Sequence, residues 1–142
     1  MFFVHDSKKI YYRAIGTGNP LVIIHGGLGM DHRYLYEWFL PLSNHFQLIF
    51  IDLPGNGLSS RIRKVDPFSV EYLSDVLEAL RNKIIKKKIF LLGHSYGGFV
   101  ATVYAIRYPK MLKKLIVANG SLDISSQNDD LLIASKKTSQ QK

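Results

Sequence analysis

The apolar positions change their rhythm along the chain, and each change marks an element. Met1 to Val4 and Lys9 to Ile15 read as the two strands of a hairpin with "HDSK" as its turn, and "GTGNP" closes the second strand. "LVIIHGG" and "FQLIFIDLPG" are continuous apolar runs ended by glycine, which suits strands buried on both faces of a parallel sheet. Between them, "DHRYLYEWFLPLSNHF" sets Tyr34, Leu35, Trp38 and Phe39 at helical spacing behind Asp31 as candidate cap, with Pro41 limiting the helix. A clearer helix follows Ser69, where Tyr72, Leu73, Val76, Leu77, Leu80 and Ile84 recur at steps of three and four and Glu71 sits near the positive helix end. A strand over Ile89 to Leu92 and a helix over Phe99 to Tyr108 come next. Pro109 stops that helix, and "LKKLIVANG" supplies another buried strand. Strands alternating with helices predict an α/β domain of three layers. Its sheet is mostly parallel, with an antiparallel N-terminal hairpin and right-handed crossovers.

Composition narrows the class. A chain of 142 residues with 46% hydrophobic content fits one globular domain with a real core. No apolar run approaches the roughly 18 residues of a membrane span. The N-terminus lacks the apolar stretch of a secretory signal, so no membrane partner is expected and cytoplasm is the default compartment. The net charge of +8 raises the question of nucleic acid, but the lysines lie in scattered groups (Lys86 to Lys88, Lys113 and Lys114, Lys136 and Lys137) without interleaved aromatics. They read as a solvated surface. The absence of cysteine excludes disulfide scaffolds and thiolate metal sites, and neither metal nor cofactor is expected.

The chemistry concentrates in "IFLLGHSYGGFVATVYA", where a short apolar run meets a Gly-x-Ser-x-Gly. A serine hydroxyl is a weak nucleophile unless it is exposed, oriented and deprotonated by a neighbour. A tight strand-to-helix turn exposes it, at the cost of a strained backbone at Ser95. Such a turn also crowds the positions two before and two after, leaving room only for hydrogen at Gly93 and Gly97. The following helix would point free N–H groups and the positive end of its dipole at the charge formed when Ser95 attacks a carbonyl.

Three motifs on successive strand ends, "HGGLG" from His25, "DLPGNGLSS" from Asp52 and "GHSYGG" from Gly93, give the chain a resemblance to the N-terminal half of an α/β-hydrolase. "HGG…DHRYL" is similar to the proline iminopeptidase-like and esterase-like members. The resemblance covers residues 1–120 and implies a serine hydrolase acting on an ester or amide through an acyl-enzyme at Ser95. It implies an oxyanion hole from Gly27 N–H and Tyr96 N–H, and a small acyl substrate. His25 and His94 lie inside motifs where the family does not place its base, so they are expected to pack or hydrogen-bond within loops. Asp52 is expected to bond the backbone of its glycine-rich turn.

The chain departs from the family pattern after the serine, where acid and base should follow in order. The segment "SLDISSQNDDLLIASKKTSQQK" offers Asp123 as one alternative acid beside Asp129 and Asp130, and no histidine at all. The family's last two strands and their helices are also missing, which predicts an incomplete chain with a polar, mobile tail over 121–142. Three readings stay open: an incomplete serine hydrolase, one half of a two-chain hydrolase, and a non-catalytic protein that keeps the hydrolase architecture for binding. An incomplete sheet further predicts self-association or binding of a complementary C-terminal fragment through an exposed edge near Leu115 to Ala118.

Overall fold

In a computed structural model, which describes residues 1–27 and 29–120, six strands form one mixed sheet. They are β1 (Phe2–His5), β2 (Lys8–Ile15), β3 (Asn19–Ile24), β4 (Phe46–Ile51), β5 (Ile89–His94) and β6 (Leu112–Ala118), in the spatial order β1-β2-β4-β3-β5-β6. β1 and β2 pair antiparallel, as do β2 and β4, whereas β4-β3-β5-β6 are mutually parallel. The hairpin turn is tighter than "HDSK". Asp6 and Ser7 alone make it, both at positive φ (45° and 63°), the mirror-image turn whose twist matches that of paired strands.

The continuous apolar runs sort themselves by side-chain alternation. Val22, Ile24, Ile49, Ile51 and Leu91 face one core, which they share with α2 (Val70–Leu80) and α3 (Tyr96–Arg107). Leu21, Ile23, Leu48, Phe50 and Leu92 face a second, which Leu35 of α1 (Arg33–Phe39) covers. Helices on both faces make the three layers, and buried central strands explain why neither β3 nor β4 shows a polar face. Ser69 caps α2 as its position suggests, its Oγ accepting from Tyr72 N–H at 3.2 Å.

Four details differ from the expectation. α3 begins at Tyr96, not Phe99, because Gly97 and Gly98, which look like turn residues, form its first turn packed tightly on the sheet. His32 holds the capping position of α1, while the Asp31 carboxylate reaches past it to accept Arg33 N–H at 2.9 Å. Trp38 is 82% exposed, since α1 spans only seven residues and turns Leu35 alone fully inward. Among the described residues β6 is an edge, as expected, but Lys113, Lys114 and Ile116 on it face solvent, so its apolar run does not mean the burial the sequence suggested. The tail expected over 121–142, with Asp123, lies outside the described residues.

Candidate active site

Parallel strands deliver their carboxyl ends to one side of the sheet, where ligands of open α/β sheets bind. β3 ends there in the His25-Gly26-Gly27 turn, β4 in Asp52 to Ser60, and β5 in Ser95. Ser95 has φ 53° and ψ −120°, a conformation that costs a residue with a Cβ of the order of 1–3 kcal/mol. Its N–H donates to Ala118 O of β6 at 2.9 Å and its carbonyl accepts Gly98 N–H at 2.8 Å, so strand and helix hold it from both ends.

Glycine is required around it by contact. A Cβ on Gly93 would lie 2.2 Å from Gly97 O, and one on Gly97 would lie 2.5 Å from His25 O and 2.7 Å from Ile24 O. A Cβ on Gly26 would stand 2.8 Å from Ser95 Cβ and 3.0 Å from His94 Nδ1. The turn after β3 thus rests directly on the serine. Gly26 is the residue in contact, with Gly27 (φ 64°) next to it and backed by the Met30 side chain.

Three distant residues pin that turn. Gly29 N–H donates to Asn56 Oδ1 at 2.6 Å. Leu53 N–H donates to His25 Nε2 at 3.1 Å, which leaves the ring proton on Nδ1 to donate to Gly26 O at 3.0 Å. His25 is fully buried, and burial pushes its pKa below the ordinary value despite the Gly26 carbonyl and the Asp52 charge. Gly26 N–H donates to Tyr34 Oη at 2.7 Å, and Tyr34 Oη lies 2.7 Å from His94 Nδ1. Burial raises the Tyr34 pKa, opposed by the Gly26 contact, so the phenol stays protonated. Tyr34 is the member that sequence reasoning missed: it reads as a core position of α1, and its partner lies 60 residues away.

Asp52 is structural, as expected. Its carboxylate accepts His32 N–H and Leu58 N–H, both at 3.0 Å, and meets His32 Nδ1 at 2.8 Å. Burial opposes its ionisation, but the hydrogen bonds from the His32 ring, Leu58 N–H and His32 N–H outweigh that and keep its pKa below the usual carboxylate range. Beside Gly29 a cleft of about 240 Å³ is lined by Pro54, Gly55, Asn56, Ile62 and Phe68. Among the described residues no cluster of three or more His, Cys, Asp or Glu side chains could hold a metal ion, and no helix is long and apolar enough to cross a membrane.

Residues 19–140 match the alpha/beta hydrolase fold family. The chain is an α/β-hydrolase family member. It is 39% identical over 111 residues to a proline iminopeptidase of Saccharolobus solfataricus, a match that covers 77% of this chain and 36% of that protein. It is 36% identical over 115 residues to a proline iminopeptidase of Thermoplasma volcanium, covering 78% and 39% respectively. Among solved structures, a hydrolase from Pseudomonas aeruginosa superposes with a TM-score of 0.79 at 27% identity, covering 94% of this chain and 51% of the other. This α/β-hydrolase chain therefore spans less than half the length of those curated relatives.

Proposed function

We propose that this chain carries the nucleophile half of a serine hydrolase acting on an ester or amide. Ser95 Oγ attacks the substrate carbonyl carbon and Gly27 N–H and Tyr96 N–H receive the oxyanion. The tetrahedral adduct then collapses to an acyl-enzyme as the alcohol or amine leaves. The observation that carries this reading is the strained Ser95 backbone at the β5–α3 joint, with the glycine turn of β3 pressed against its Cβ. Strain of this kind persists where the surrounding structure enforces it and presents a side chain for chemistry. Donors set about 2.7–3.1 Å from the oxyanion matter most, each supplying roughly a hundredfold or more.

The proton of Ser95 needs an acceptor, and among the described residues no hydrogen bond joins Ser95 Oγ to a histidine or carboxylate. No histidine follows Ser95 in the sequence. Of those preceding it, His25 has both ring nitrogens engaged, while His32 and His94 turn Nδ1 to Asp52 and Tyr34. The acid and base accordingly come from a complementary segment pairing along β6, and the relatives' greater length supports this. A second reading is a non-catalytic hydrolase-like binding protein, in which the described residues set no base beside Ser95.

A fluorophosphonate probe with peptide mapping separates the two. Slow labelling confined to Ser95, rising with pH and absent in Ser95→Ala, is expected of the hydrolase reading. Labelling spread over other serines, or unaltered in Ser95→Ala, overturns it. Turnover of activated esters by this chain alone should not exceed the roughly 10³- to 10⁴-fold over water that a site keeps without its triad.

A further inference from the structure

The Gly26–Tyr34–His94 chain of contacts has a direction. A tyrosine hydroxyl has one proton to give, and Gly26 N–H can only donate. Tyr34 Oη therefore accepts from Gly26 at 2.7 Å, which leaves its own proton to donate to His94 Nδ1 at 2.7 Å when that nitrogen is unprotonated. In that arrangement the His94 ring carries its proton on Nε2. The two rings meet edge to face, with centroids 5.6 Å apart. The contact also spans three elements, since Tyr34 lies on α1, Gly26 follows β3, and His94 ends β5 directly before Ser95.

The arrangement bears on which amide is left for substrate. Gly26 lies so near Ser95 that a Cβ on it would stand 2.8 Å from Ser95 Cβ, but Tyr34 occupies its N–H. The neighbouring peptide plane has its carbonyl, Gly26 O, taken by His25 Nδ1. In a trans peptide the N–H points opposite to the C=O, so this plane aims Gly27 N–H away from His25. We infer that Tyr34 and His94 are positioning residues, which hold the Gly26–Gly27 turn against Ser95 and leave Gly27 N–H as the donor from that turn. The inference rests on the nucleophilic reading of Ser95 for its catalytic consequence and on the hydrogen bonds alone for its structural one.

Three substitutions, Tyr34→Phe, His94→Gln and His94→Ala, distinguish this from simple packing. Tyr34→Phe keeps the ring and removes the hydroxyl, whereas His94→Gln loses the ring and keeps an acceptor for Tyr34. Nitrogen-15 spectra of the histidine rings should show His94 protonated at Nε2 and hydrogen-bonded at Nδ1. In Tyr34→Phe the Nδ1 signal should move to that of an unbonded acceptor, the Gly26 and Gly27 amide signals should shift, and Gly26 N–H should exchange about tenfold faster, as loss of one hydrogen bond implies. Fluorophosphonate labelling of Ser95 should slow about tenfold in Tyr34→Phe and in His94→Ala, with His94→Gln recovering much of the rate. A packing role predicts the reverse order, with Phe tolerated and Gln damaging. Unmoved ring and amide signals in Tyr34→Phe overturn the relay. Displaced signals with labelling at the native rate overturn its positioning role. Absence of Ser95 labelling in the native chain, with the spectral signature intact, instead removes the hydrolase reading and the catalytic consequence with it.

Discussion

At His25 one proton decides whether two backbone contacts survive. The neutral ring donates from Nδ1 to Gly26 O and accepts Leu53 N–H at Nε2, and a protonated ring could not accept. Burial, partly opposed by the Gly26 carbonyl and Asp52, holds its pKa below the ordinary 6.5. Above about pH 6.5 its contribution to stability is complete. As the pH falls below that value, an unfolded His25 takes up a proton that the folded ring refuses, and stability drops until the folded ring also titrates. The loss reaches at most about 1.4 kcal/mol per pH unit. Urea unfolding of the native chain and His25→Gln between about pH 7 and 5 should show a steeper decline for the native protein, and parallel declines would refute the assignment.

Among the elements, the joint of β5 and α3 tolerates least. Gly97→Ala would place a methyl against two backbone carbonyls of β3 and its turn, at 2.5 and 2.7 Å, which only separation of helix from sheet relieves. A cost of about 3 kcal/mol is expected by denaturant titration. Gly29→Ala, with nothing within 4 Å but φ 92°, should cost only about 1 kcal/mol of backbone strain. The glycines were legible as a crowded turn because the spacing around Ser95 has a steric cause. The start of α3 was not, since Gly97 and Gly98 signal a turn to any local rule and become helical only through tight packing on β3 and β6. β3 and β4 were legible as continuous apolar runs buried on both faces, and α2 because its burial repeats with the helical period. Trp38 and Tyr34 were not: helical spacing marks a stripe but not which part of it meets the sheet, and Tyr34 owes its place to Gly26 and His94 on two other elements.

For the molecule as a whole, the open question is β6. Among the described residues it pairs only with β5, and Ile116 on it is 46% exposed. An edge with free N–H and C=O groups templates pairing with another strand. Sedimentation of this chain should show association that rises with concentration, and Ile116→Lys, which adds a charge to the exposed side of the strand, should shift it towards monomer. A monomer at all concentrations, unaffected by Ile116→Lys, would count against the edge as a docking line.

The hydrogen bond from Ser95 N–H to Ala118 O joins that edge to the serine across a single contact. If occupancy of the two places is linked through it, the linkage is reciprocal. Whatever factor a partner on β6 adds to the affinity of a reversible boronate for Ser95, the boronate must return to the partner. A molecule that fills the serine site would then act as an assembly factor, and a strand pairing with β6 would act as an effector of that site.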